Sequence, residues 1–500
     1  MHSASTRRAR RFALVLAFAA MAGVVLAMSA SANIPLQTIA VDTFTNPTSQ
    51  HATVVEPDSY SYGQTMIAAA QWGRFNDGGA SDIGVSVSTN DGASFTPQAL
   101  PGLTVYSTPA GPWARVSDPS VAFDARHNVW MVSGLALDAS LNGAAVTLSR
   151  STNGGATWNN PVNVAVASGT QNFDKNWTVC DNTPTSGFYG SCYTTWDDFG
   201  HGNLLKIAYS RDGGLTWTLS RTPNVGVIGA QPLTLPNGNV VVPLDNASET
   251  ALGYTISTNG GVRFGQAFTI TSITAFDDPG NIRSGPLPSA EISGDGKIFL
   301  AWEDCRFRAG CYTNDLVYVT STNGTTWSAV QRVPTDPGGV NGTMDAFIPG
   351  VGVNRNSSGA NTQVDFIFYY YPNVNCTFAT CQLYVGFIWS SNGGLSWNAP
   401  ITVAGPMTMS WLPNTTQGRM VGDYSSASYN SQGSNFGFFP VANAPGSSNP
   451  DCAVATPNCN QALYTFASGQ AAGAGNLTAN DPVVYKAKAQ PGAGAFHAAR

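Results

Sequence analysis

Charge is scarce in this sequence, and lysine most of all. Asp, Glu, Lys and Arg make up 10% of the 500 residues, five of them lysines, and the formal net charge is −6. No basic stripe is available to neutralise a phosphate backbone, so nucleic acid is excluded as a partner. Histidine is also sparse. His2, His51, His127, His201 and His497 do not cluster and no Cys-x-x-Cys occurs, so no metal site of the zinc kind is expected. Neither G-x-S-x-G nor G-x-x-x-x-G-K is present, which removes the serine-hydrolase elbow and the phosphate loop. The apolar run from Ala13 to Met28 is too short to span a bilayer comfortably, and stable membrane insertion is not expected.

Glycine and proline are plentiful, at 53 and 30, and Thr, Ser and Asn outweigh Lys and Glu. That balance describes many short strands joined by polar turns, an all-β chain. Residues 1–32 read as a signal peptide: a basic "RRARRF", the apolar run, then "SASA" with cleavage after Ala32, implying export and a secreted product. A folded region over 33–490 follows, then an Ala/Gly-rich tail, 491–500, expected to be mobile. The eight cysteines fall into four close pairs: Cys180 with Cys192, Cys305 with Cys311, Cys376 with Cys381, and Cys452 with Cys459. Loop closure favours near neighbours and an oxidising compartment preserves such bonds, so four local disulfides are expected.

One octet recurs. "STNDGASF" begins at Ser88, "STNGGATW" at Ser151, "SRDGGLTW" at Ser210, "STNGGVRF" at Ser257, a shortened "STNGTTW" at Ser321 and "SSNGGLSW" at Ser390. Its third residue bonds turn amides, its glycines accept positive φ, and its closing aromatic packs inward. Spacings of 47 to 69 residues suit one four-stranded antiparallel sheet per unit. A second pattern, an acidic or proline-containing start leading into an apolar strand, begins near Glu56, Asp118, Asp174, Gln231, Leu287, Ile348 and Gly422. The two patterns predict a single β-propeller of four-stranded antiparallel blades, seven by inner strands and six by octets, with seven favoured. Closure is expected either from "LQTIAVDTF" on the last blade or from "DPVVYKAKA" on the first.

The octets resemble the Asp-box, or BNR, repeat of sialidase-like propellers, S-x-D-x-G-x-T-W, although only Asp212 is acidic at the third position and Arg263 replaces the Thr. The resemblance implies that the boxes lie on the rim away from the catalytic centre. It also implies a secreted glycoside hydrolase of sialidase type acting on a glycan or glycoconjugate; a monomer is expected. Sialidases hold the sugar carboxylate with three arginines; Arg115, Arg283 and Arg419 are the candidates here. Tyr424 is the candidate nucleophile, Asp118 or Asp174 the acid/base, and Glu291 or Glu303 the group assisting the tyrosine. The Arg-Ile-Pro of sialidases is replaced by "VVEPDS", and the nearest arginine, Arg74, lies beyond "AAAQW".

Carboxylates stand at the starts of five of the seven units, at Glu56 and Asp58, Asp118, Asp174, Asp345 and Asp423. Gathered at one mouth they would raise one another's pKa, bind a cation such as calcium, or accept hydrogen bonds from sugar hydroxyls. No other cofactor is expected. Hence the alternative function is a non-catalytic extracellular propeller that binds a glycan, protein or cation at an acidic channel mouth. "AWEDCRFRAGC" reads as a salt-bridged loop, and "TTWDDFGHGN" offers Asp197, Asp198 and His201 as a weak cation set.

Overall fold

A computed structural model of the chain describes residues 34–446, 451–452, 459–471, 473, 475–486 and 496; residues 1–32, read above as a signal peptide, and nearly all of the 491–500 segment lie outside them. Among these residues no helix is long and apolar enough to cross a membrane. The chain is all-β, and its strands follow one another in antiparallel meanders. Four-stranded runs begin at Phe173–Cys180, Ser289–Ile292 and Asp345–Val353, and a run of five strands begins at Val227–Ala230, where the short Leu233–Thr234 pairs alongside it with Val240–Asn246. Two more, beginning at Val54–Tyr62 and Arg115–Asp124, are joined by the single pair Ala80–Val116. A last run begins at Ser426–Tyr429 and takes its outermost strand, Leu36–Ala40, from the beginning of the described chain, paired with Gln461–Phe466.

Of the two segments read from the sequence as closing strands, the N-terminal one pairs with the last run. The other segment lies elsewhere. Leu477 exchanges backbone hydrogen bonds with Trp397, Asp481 pairs with Arg332, and the amides of Val484 and Tyr485 reach Arg306 O.

The octets act where one run meets the run before it. In each, the Ser hydroxyl accepts the N–H of a box glycine, as from Gly155 to Ser151 at 2.9 Å. These glycines have φ between +73° and +87°. They also press on the preceding run, where a Cβ would come within 2.2 to 2.8 Å of Phe436, Ile67, Leu148, Tyr193, Val241 and Tyr318 in turn. Phe436 belongs to the last run, so the first box packs on the final sheet. Only glycine satisfies both demands. Of the closing aromatics, Trp158, Phe264 and Trp397 are buried, whereas Phe95, Trp217 and Trp327 are half-buried. Ser151→Ala removes the acceptor of Gly155 N–H and the donor to Asn153 Oδ1 at the buried foot of an exposed turn. A loss of about 1–3 kcal/mol is expected, read from the urea unfolding midpoint.

All four expected disulfides are formed, Cys180–Cys192, Cys305–Cys311, Cys376–Cys381 and Cys452–Cys459. Each closes a loop of 5 to 12 residues, too short to organise anything but its own hairpin.

Candidate functional site

The first strands of the runs lie side by side, and Val54–Tyr62 touches both Arg115–Asp124 and Ser426–Tyr429. Four of them share a device absent from ordinary strands. The register slips by a bulge at Val55/Asp58, Ser117/Ser120, Asp174/Trp177 and Phe347/Gly350. At each slip one non-glycine residue sits in the left-handed region: Glu56, Asp118, Lys175 and Ile348, with φ from 50° to 54°. A bulge takes a residue out of the ladder and re-aims its side chain, and strained φ of this kind concentrates at functional sites. Here it delivers an acid and a lysine, Asp118 and Lys175, to one place, with Glu56 buried behind Gln71.

That place is a cavity of about 470 Å³ at the starting end of the first strands, lined among others by Arg74, Asp118, Asp174, Lys175, Arg283 and Asp423. Asp423 is its hub. Arg283 grips both carboxylate oxygens, Nε to Oδ1 at 2.6 Å and a terminal nitrogen to Oδ2, while Lys175 Nζ reaches Oδ2 at 2.6 Å. Asp118 accepts the Ser117 hydroxyl at 2.9 Å and the Lys175 amide at 3.1 Å. Arg74 differs from the other two cations because it faces no carboxylate directly. One terminal nitrogen donates to Gln71 Oε1 at 3.1 Å, and Gln71 in turn donates to Glu56. Arg74 is 3% exposed and its Nε has no partner among the described residues.

These contacts split the titration of neighbouring acids. Burial raises the Asp423 carboxyl, but the charges of Arg283 and Lys175 outweigh it and hold the group well below the usual range. Glu56 has no such partner; burial, then the charges of Asp423 and Asp118, push it up to about 8. Burial and then Asp118 push Asp174 up to about 6. Burial opposes the charge on Lys175, yet Asp423, Asp118 and Asp174 together hold its pKa above the ordinary value. Arg74 is shifted downward, by burial first.

A narrow waist follows, lined by Asp118, Lys175, Trp177, Glu291 and Tyr424. The Tyr424 ring stands edge-on to Trp177 with centroids 5.3 Å apart, and its hydroxyl donates to Pro119 O at 3.4 Å. Burial, then Glu56 and Asp118, push the phenol well above its ordinary value. Tyr424, Asp118, Asp174 and Arg283 are thus brought together. Glu291 reaches the waist from the far side, where Arg355 donates to it at 2.9 Å.

The remaining candidates go elsewhere. Glu303 is buried beneath the bulge at Ile348, whose amide it accepts at 3.0 Å, and it lines neither the cavity nor the waist. Arg115 borders the cavity, bound to Asp77 and Gly78 O, with its guanidinium 3.9 Å from the Phe75 ring centre. Arg419 pairs its backbone with Asn281 and Arg283, but its side chain turns away to Asp451 and Leu412 O. In "TTWDDFGHGN", Asp198 holds His201 Nδ1 at 2.8 Å and Asn203 donates to Asp197 at 2.9 Å. Arg306 and Arg308 are tied to Asp304 and to Asp315, and each lies in a buried ion pair.

Sequence reasoning missed Arg74 and Lys175 as cavity residues. Glu56, Asp118 and Ile348 each precede proline, and that shared X-Pro at a strand start was the available signal for three bulges. Lys175, followed by Asn176, carries no such mark.

No family model matches this chain, and no curated protein does. Solved structures do resemble it. A Hadza microbial sialidase, Hz136, is 17% identical over 64% of this chain and 65% of its own, with a TM-score of 0.44. A leech intramolecular trans-sialidase is 13% identical, covering 66% of each chain, with a TM-score of 0.44. A protein of unknown function from Dyadobacter fermentans is 15% identical over 71% of this chain and 98% of its own, again with a TM-score of 0.44. The chain thus spans just under two thirds of the length of those two sialidases.

Proposed function

We propose that the runs form a closed seven-bladed propeller of the Asp-box kind, exported by its leader, which handles an acidic glycan in the 470 Å³ cavity and cleaves a glycosidic bond there. The observation that carries this reading is that Asp118 and Asp174, from neighbouring first strands, line one cavity with Arg74, whose buried Nε has no partner among the described residues. Glycosidic cleavage needs an acid that still holds its proton and a carboxylate that has lost it. Asp174, pushed up to about 6, is the proton donor to the leaving oxygen, and Asp118 is the partner carboxylate that also reaches the waist. Arg74 supplies charged N–H groups to an anionic substituent of the sugar. Tyr424, beside Asp118, is the group positioned at the deep end of a bound ring; Glu303 has no part in this arrangement.

Turnover of a fluorogenic sialoside or of a fluorogenic uronide tests the reading. Asp174→Asn and Asp118→Asn are each expected to lower kcat by about a hundredfold. The pH profile is expected to fall as pH rises through about 6, where Asp174 loses its proton. Arg74→Gln is expected to raise KM for the acidic substrate with a smaller effect on kcat. No turnover on either substrate defeats the hydrolase.

A second reading, binding without catalysis, is favoured by two commitments: Arg283 is gripped by Asp423, and the Tyr424 hydroxyl is given to Pro119 O. Calorimetry with sialyllactose separates the two readings. Heat that Arg74→Gln abolishes, without turnover, is the result this reading expects.

A further inference from the structure

At the other end of the first strands lies a larger cavity, of about 570 Å³, which the reading above does not use. Its wall is made by the hairpin turns that join first to second strands, and those turns bond to a box: Asn430 and Ser431 hold Asp91. We propose that this mouth is a second binding site, for an uncharged saccharide.

The chemistry of the wall is unlike that of the opposite mouth. Among the described residues its charged side chains are Glu291 and Arg355, and they neutralise each other at 2.9 Å. An anionic or cationic ligand therefore finds no net attraction here. The rest of the polar wall is hydroxyl and amide. Several of these groups are already committed within the protein: Asn182 donates to Tyr60 and Phe123 O, and Ser59 is bonded to Ser426 and Ser428. Others are not. Among the described residues the side chains of Asn356, Thr183 and Ser431 have no bonded partner.

Two of the tyrosines in the wall, Tyr60 and Tyr62, are held rigidly. Tyr62, 46% exposed, rests against Phe123 with centroids 4.4 Å apart, and Phe123 rests against Trp130 at 4.7 Å. Tyr60 stands edge-on to the same Trp130 and carries the Arg355 guanidinium 5.0 Å above its ring. Fixed aromatic faces cost little conformational entropy on binding and offer the apolar flank that a sugar ring presents. A cavity of this size falls within the range of small-ligand sites. A peptide would want an open strand edge or apolar side-chain pockets. The tips of hairpins offer neither.

The test is titration of the intact protein with three neutral probes, cellotetraose, maltotetraose and triacetylchitotriose, and with a heparin tetrasaccharide as charged control. Binding of at least one neutral probe is expected. Tyr62→Ala is expected to weaken it at least tenfold and Asn356→Ala severalfold, the latter without moving the thermal midpoint, because the Asn356 side chain is exposed. Asp174→Asn, at the far mouth, is expected to leave it unchanged, so this site stands or falls apart from the hydrolase. The proposal is overturned if no neutral probe binds, if only heparin binds, or if neutral binding is indifferent to Tyr62→Ala.

Discussion

Asp423→Ala is expected to destabilise the protein by about 3–5 kcal/mol, measured by denaturant unfolding at neutral pH. The carboxylate is the shared anion of Arg283 and Lys175, and all three side chains are mostly buried, at 9%, 19% and 15% exposure. Removing it leaves two cations beside Arg74 in one confined space without the anion they both bond, Asp118 and Asp174 compensating Lys175 only in part. Adding Lys175→Met to Asp423→Ala is expected to recover part of the loss, because it takes away one of the orphaned charges. A loss below about 1 kcal/mol would mean that water screens the cluster as it screens a surface pair. The pH dependence has a definite sign. The folded carboxyl titrates below its free value of about 3.9, so its contribution is whole above that value and is lost as pH falls towards the folded one.

Glu56→Gln is expected to do the reverse, raising stability by a few kcal/mol at pH 9 and changing it little at pH 4. Glu56 is 1% exposed and is pushed from 4.5 up to about 8, chiefly by burial. A raised carboxyl contributes stability that is whole below about 4.5 and is lost as pH rises through about 8. Glutamine keeps an acceptor for Gln71 and never ionises, so the unfolding midpoint of the variant should decline less between pH 5 and pH 9 than that of the parent. Asp58 and Asp82, raised by burial to about 7 and about 8, keep part of the decline in place. Parallel midpoint curves for variant and parent would show that Glu56 is ionised and solvated in the folded chain.

The two variants probe acids that sequence alone treats alike. Glu56 and Asp423 both stand at strand starts, yet one is expected to hold its proton at neutral pH and the other to be ionised far below it. The difference lies in distance to Arg283 and Lys175, which no spacing in the chain reports. Arginines show the same limit. Arg283 and Arg419 share a backbone bridge, and a reading of the rim groups them; their side chains then part, one to Asp423 and the other to Asp451. Arg74 was passed over because it lies on a second strand, eighteen residues beyond the Glu56 start, and it reaches the cavity through its place at the strand's end.

What the sequence determined by itself is whatever closes within a few residues. The octet binds its own amides, each disulfide spans at most 12 residues, and alternation with abundant glycine and proline commits the chain to short strands. The tertiary structure alone decided which side chains share a cavity. Lys175 and Asp423 meet across 248 residues, and Lys175 arrives there only because a left-handed bulge turns it out of its strand. Local hydrogen bonding is written in local residue types, whereas convergence depends on how successive sheets are rotated against one another, and that is settled by packing over the whole chain.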